Sequence, residues 1–160
     1  MVKAVFPGSF DPPTFGHLNI IERGSRLFDS LDVVIAVNSS KTPLMPPEEK
    51  KRLLELEIGK LGLSTVRVAA YEGLVVEYCQ TIQAQVLLRG VRSMSDFDYE
   101  FELSVLNRHL DSGIETVFLP TEPKFFVLRS STIKELMRLG GDISAMVPSS
   151  VAVSLHNLDL

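Results

Sequence analysis

The residues of this chain that could do chemistry gather near its start. A short apolar run from Val2 to Phe6 leads through Pro7-Gly8-Ser9-Phe10-Asp11-Pro12 into Thr14-Phe15-Gly16-His17, after which the pattern becomes helical. Gly8 and Gly16 allow the backbone to approach a ligand, and Ser9 and Thr14 offer hydroxyls. His17 falls at the start of the helix, where free N–H groups and the macrodipole attract anions. That layout suits phosphate and predicts nucleotide chemistry. Further along, Asn38-Ser39-Ser40-Lys41, Arg89-Gly90-Val91-Arg92 and Ser130-Ser131 supply two arginines, a lysine and several hydroxyls. A polyphosphate needs that inventory, because charge-assisted hydrogen bonds contribute about 1.5–3 kcal/mol each and guanidinium forks match phosphate oxygens bidentately.

These groups meet only if strands deliver them to one rim. Short β-branched runs alternate with amphipathic segments, the pattern of an α/β fold with a parallel sheet. Strands are predicted over 3–6, 32–37, 66–70, 86–88 and 116–119, with helices over 17–28, 48–61, 75–83 and 96–110. On the first helix Leu18, Ile21 and Phe28 share a stripe, leaving Glu22, Arg23 and Arg26 to face water. After the fifth strand a loop leads to Ser130-Ser131-Thr132-Ile133-Lys134-Glu135, where Thr132 and Glu135 have capping-box spacing. The helix so opened runs to Gly140-Gly141, and Val147-Pro148-Ser149-Ser150 turns into a last short helix. The expected architecture is a Rossmann-like, doubly wound, parallel five-stranded sheet with C-terminal helices, one domain over 1–160. Ligands of such sheets bind beyond the carboxyl ends of the strands, where all four basic and hydroxyl-rich segments fall.

Composition narrows the function. The chain has 160 residues, 45% hydrophobic and 22% charged, enough for a sizeable core. Its formal charge of −4 argues against nucleic acid as a partner, so a phosphate site must be a local basic cluster. Cys79 is the only cysteine, which excludes an intramolecular disulfide and fits a reducing cytoplasm. It reads as a small apolar residue on a helix. No apolar stretch reaches membrane-spanning length before a charge interrupts it, and a signal-peptide pattern is absent, so a soluble protein without membrane partners is expected. His109 and His156 read as structural or solvent-facing.

Six ordered blocks resemble the HxGH nucleotidyltransferase superfamily and, within it, the bacterial phosphopantetheine adenylyltransferases. They are P-G-S-F-D-P-P-T-F-G-H at 7–17, S-K-T-P at 40–43, E-G-L-V-V at 72–76, L-L-R-G-V-R at 87–92, D-F-D-Y-E at 96–100 and N-R-H-L at 107–110. The resemblance implies transfer of the adenylyl group of ATP to 4′-phosphopantetheine, giving dephospho-coenzyme A and pyrophosphate. Carried over by position, Ser9, Lys41, Val75 and Arg89 contact the acceptor. Ser9, Phe10, His17, Gly90, Val91, Arg92 and Glu100 contact ATP, joined by Phe125, Phe126, Val127, Leu128, Arg129, Ser130 and Ser131. His17, Lys41 and Arg92 carry the catalytic roles, with His17 donating to the α-phosphate in the transition state. Magnesium bridges the nucleotide's phosphates, since no carboxylate cluster is spaced as a protein cage. The same resemblance implies a homohexamer and coenzyme A as a feedback inhibitor. A sibling reaction on another phosphate acceptor, such as nicotinate mononucleotide, shares the T-x-G-H core.

The chain departs from the family at four places. Thr14 replaces the superfamily's first histidine, Phe15 stands where asparagine is frequent, Lys124-Phe125-Phe126 lacks an aromatic-serine-aromatic pattern, and Arg129 replaces the first serine of a serine run. Arg129 either adds a phosphate contact or points away. Glu100, with Asp96, Asp98 and Glu102, reads equally as an acidic helix start.

Overall fold

A computed structural model describes residues 1–40 and 42–158. In chain order the elements are β1 (Lys3–Gly8), α1 (Phe15–Ser25), β2 (Ser30–Val37), α2 (Pro47–Lys60), β3 (Val66–Glu72), α3 (Val75–Ile82), β4 (Val86–Val91), α4 (Met94–Leu110) and β5 (Glu115–Pro120). A 3₁₀ turn (Pro123–Phe125), α5 (Ser130–Arg138) and α6 (Ser149–His156) complete the chain. All five strands pair in parallel in the order β3-β2-β1-β4-β5, so the winding reverses between β1 and β4.

The central strands are apolar on both faces because both are covered. On one face Ala4, Phe6, Val33, Ile35 and Leu88 pack against Leu18, Ile20 and Ile21 of α1 and Leu54 and Ile58 of α2. On the other, Val5, Val34 and Leu87 pack against Val76 and Cys79 of α3. Cys79 is fully buried and its thiol is pushed up to about 11, chiefly by burial, as expected of an apolar filler. A third core joins Met45 and Leu53 to Ile133 of α5 and Val151 and Leu155 of α6, fastening the C-terminal helices to α2. None of the described residues of α4 is buried. Phe97 stacks edge-on against Phe118 of β5 at 5.1 Å, while Tyr99, Phe101, Val105, Leu106 and Leu110 stay exposed.

Several sequence expectations shift at element ends. β1 runs on through Pro7 and Gly8 because both still pair with Val34 and Ile35 of β2, and β4 carries Arg89, Gly90 and Val91 in register with β5. Those residues are strand, not loop. α1 begins earlier and ends at Ser25, with Phe28 packed on the core from the following turn. Arg23 does not simply face water: it donates to the carbonyl of Pro120 at 2.6 Å, tying α1 to the end of β5. The box expected at Thr132 and Glu135 is not formed. Arg129 is the N-cap of α5 without a side-chain capping bond, which places Thr132 inside the first turn.

Candidate active site

The site begins where the sheet stops being continuous. β1 and β4 pair only at Ala4 with Val86 and Val5 with Leu87, then diverge although both strands continue. Arg89 spans the gap, donating from Nη1 to the Pro7 carbonyl at 2.8 Å. The opening is a cleft lined by Gly8, Phe10, Gly16, His17, Gly90, Arg92, Glu100 and Leu128. Gly8 and Gly90 also make room for neighbouring side chains, whereas a Cβ at Gly16 would meet only ordinary contacts, 3.4 Å from Thr14 Oγ1. A Cβ at Gly8 would lie 3.1 Å from the Phe10 ring, and one at Gly90 3.0 Å from Ile20 Cγ1. Phe10 takes a left-handed φ of 45° and is fully buried, its ring between Phe6 and His17.

His17 is held by a capping box at the start of α1. Thr14 Oγ1 accepts from the His17 backbone N–H at 3.2 Å, and His17 Nδ1 accepts from the Thr14 backbone N–H at 3.0 Å. A nitrogen that accepts from a peptide N–H carries no proton, so the ring is the tautomer with its proton on Nε2. Burial, aided by the nearby Arg92 charge, lowers its pKa to about 4. The imidazole is therefore a neutral, oriented N–H donor at neutral pH.

The arginines are engaged as well. Arg89 Nε and Nη2 form a fork on Glu100 at 2.6 and 2.5 Å. Arg89 and Glu100, expected on the acceptor side and the nucleotide side respectively, are thus paired with each other. Arg92 donates from Nε to Asp96 at 2.9 Å and from Nη1 to the Leu128 carbonyl at 3.0 Å. Arg129 lies 3.9 Å from the same Asp96 carboxylate and is half exposed. Behind the cleft Asp11 receives the backbone N–H groups of Leu44 and Met45, Lys134 at 2.5 Å and Lys50 at 3.7 Å. Burial alone would raise its carboxyl, but those partners outweigh it and hold it below the usual range.

The cleft brings together Phe10, His17, Arg89, Gly90, Arg92, Glu100 and Leu128. Val75 lies in a second cavity, with Leu74, Leu103 and Thr116, that shares Arg89, Glu100 and Pro7 with the first. Ser9 lines a third hollow with Asn38, Ser39, Lys50 and Lys134. Ser130 donates its hydroxyl to the Pro12 carbonyl at 3.1 Å, and Phe126, Val127 and Ser131 are exposed. Val91 ends β4 beside Pro120, and Phe125 closes the 3₁₀ turn. Lys41 lies outside the described residues. Sequence reasoning gave no site role to Asp11 or Leu74 and read Asp96 only as part of an acidic helix start. Only Asp96 carried a local signal, its spacing of four from Arg92. Among the described residues no group of three or more His, Cys, Asp or Glu gathers as a metal site.

Comparison with known proteins agrees with this geometry. The cytidylyltransferase-like family model matches residues 5–136. The chain is 45% identical to the phosphopantetheine adenylyltransferase of a Cyanothece species, over 96% of this chain and 89% of that one. It is 46% identical to the enzyme of that name from Lactiplantibacillus plantarum, over 98% and 94%. For that from Caldanaerobacter subterraneus the identity is 43%, over 97% and 96%. In fold it is similar to a putative nicotinate-nucleotide adenylyltransferase from Vibrio parahaemolyticus, with a TM-score of 0.75 and 22% identity over 98% of this chain and all of that one. By sequence, sheet order and the cleft at the winding reversal, the chain belongs to the cytidylyltransferase-like family and, within it, to the phosphopantetheine adenylyltransferases.

Proposed function

We propose that this protein transfers the adenylyl group of magnesium-bound ATP to 4′-phosphopantetheine, forming dephospho-coenzyme A and pyrophosphate. The observation that carries the reading is the pair of cavities meeting at Arg89 and Glu100: a polar cleft at the reversal point, and beside it a pocket walled by Leu74, Val75 and Leu103 that suits an extended, weakly polar arm. The names of relatives at 42–46% identity over nearly the whole chain support the same substrates.

In this reaction an oxygen of the acceptor phosphate attacks the α-phosphorus, the bond to the β-phosphate oxygen breaks, and pyrophosphate leaves. The acceptor is a phosphate monoester with a second pKa near ~6, so it arrives deprotonated and the site needs no general base. Catalysis is then alignment and charge stabilisation. His17 Nε2–H donates to the α-phosphate as charge builds there. Arg92 and the start of α5, with Arg129, Ser130 and Ser131, receive the outer phosphates. The backbone of Phe10, Gly90, Val91 and residues 125–128 frames the nucleotide. Ser9, Lys41 and Val75 hold the acceptor, Lys41 by its place in the S-K-T-P block. Arg89, braced by Glu100, stands between the two substrates. A magnesium ion would arrive with ATP and would supply neutralisation of the phosphate charge, with no carboxylate cluster among the described residues to hold it.

The unpartnered apolar face of α4 supports a homo-oligomer, taken as a hexamer, and the product's own end product, coenzyme A, is the proposed feedback ligand. Among the described residues no helix is long and apolar enough to cross a membrane. The proposed location is the cytoplasm. The test is pyrophosphate release from ATP and Mg²⁺ with 4′-phosphopantetheine, with nicotinate mononucleotide and with no acceptor. Release with phosphopantetheine alone is expected. Release with the mononucleotide instead moves the substrate, and absence of release in all three overturns the enzymatic reading.

A further inference from the structure

Asp96 occupies the first turn of α4, where Ser93 caps its backbone N–H at 3.2 Å. An acid there is ordinary dipole compensation, and nothing more would follow if its carboxylate faced water. It does not. Asp96 Oδ2 accepts from Arg92 Nε at 2.9 Å and from the Arg92 backbone N–H at 3.3 Å, while Oδ1 lies 3.9 Å from Arg129 Nη2. Two guanidiniums, one from the end of β4 and one at the entry to α5, thus share a single carboxylate. Arg92 is also tied to the Leu128 carbonyl, one residue before Arg129, so the same side chain couples the start of α4 to the start of α5. Nε and Nη1 of Arg92 are thus engaged, and the residue lines the cleft together with His17.

We propose that Asp96 is a positioning residue for the triphosphate of ATP: it sets the plane of the Arg92 guanidinium and gathers Arg129 beside it at the mouth of α5. The inference rests on the adenylyl-transfer reading above. A carboxylate near a phosphate site has a second, opposing effect, since its charge repels the nucleotide. The orientation effect is separable by comparing two uncharged replacements. Asp96→Asn keeps an oxygen for Arg92 Nε, whereas Asp96→Leu does not, and both remove the charge.

The test is ATP affinity by calorimetry and the KM for each substrate in the full-length protein. Thermal unfolding serves as a check, and Asp96→Ala replaces the leucine variant if that one does not fold. The leucine or alanine variant is expected to bind ATP about tenfold more weakly than the asparagine variant, the worth of one oriented charge-assisted hydrogen bond, with the acceptor KM equal in both. Arg129→Ser is expected to weaken ATP binding about threefold in the native background and to have no further effect beside Asp96→Leu. Equal ATP affinity in the asparagine and leucine variants, or a parallel rise in the acceptor KM, overturns the role of Asp96. A full effect of Arg129→Ser in the leucine background overturns its link to Arg129. A native protein that binds ATP but transfers nothing overturns the reaction instead, and leaves the affinity comparison to decide on Asp96.

Discussion

Replacing His17 by asparagine separates catalysis from folding. The asparagine oxygen stands close to the place of Nδ1, which accepts the Thr14 N–H at 3.0 Å, so the capping box survives. What disappears is the Nε2–H donor and the ring that meets Phe10 edge-on at 5.0 Å. The lost ring contact costs about 0.5–1.5 kcal/mol of stability, a drop of roughly 1–6 °C in Tm for a domain of this size. The lost donor removes about 2.7–4 kcal/mol of transition-state stabilisation, a fall of about 10²–10³ in kcat. His17→Ala is expected to lose the same rate and about 1 kcal/mol more stability, because it also leaves the Thr14 backbone N–H without its acceptor, although the Thr14 hydroxyl still caps the residue 17 N–H. Pyrophosphate release at saturating ATP and 4′-phosphopantetheine, read beside the melting curve, checks both numbers. A kcat for the asparagine variant within tenfold of native, with the fold intact, refutes the assignment of His17 as the α-phosphate donor.

Three further outcomes follow from the same structure. With a folded-state pKa near 4 against an ordinary value near ~6.5, His17 takes up its proton more readily in the unfolded chain, so stability falls as pH drops from about 6.5 through 4 and is unaffected by this group above that window. Nitrogen NMR should show the Nε2–H tautomer unchanged down to pH ~5, and titration of the His17 ring near pH ~6.5 contradicts the capping geometry. Asp11→Asn leaves the Lys50 ammonium, only 3% exposed, without its carboxylate, and is expected to cost about 3–5 kcal/mol in urea unfolding; adding Lys50→Met should recover much of it. Gly24→Ala places a methyl 2.6 Å from Leu88 Cδ2 and 3.2 Å from Leu31 Cδ2, and the overpacking, about 1–3 kcal/mol, exceeds the helix-propensity gain of about 1.

The order of strands and helices was legible because each is written in local periodicity, and the C-terminal helices were announced by their turn residues. The ends were not. Arg89 and Gly90 read as loop because glycine and charge seldom continue a strand, yet pairing with Phe118 and Leu119 extends β4 through both. The capping box was sought at Thr132 on the familiar Thr-x-x-Glu spacing, while the formed one uses a histidine nitrogen as acceptor at the same spacing from Thr14. His17, Arg89 and Arg92, singled out by type and position, line one cleft. Their partners were harder to see. The Arg89–Glu100 fork, the carbonyl of Pro7 and the lysines around Asp11 join residues from 11 to 123 positions apart, where no sequence spacing speaks.

The short ladder between β1 and β4 has a mechanical meaning. Of all strand pairs in the sheet it has the fewest residues in register, so β1, β2 and β3 form one panel and β4 and β5 another, sewn together at a single short stitch. In the proposed reaction, a nucleotide bridging His17 and Arg92 would complete that seam from outside the chain. Substrate occupancy then acts as part of the scaffold, and the empty enzyme should part first along this line when heated or pulled.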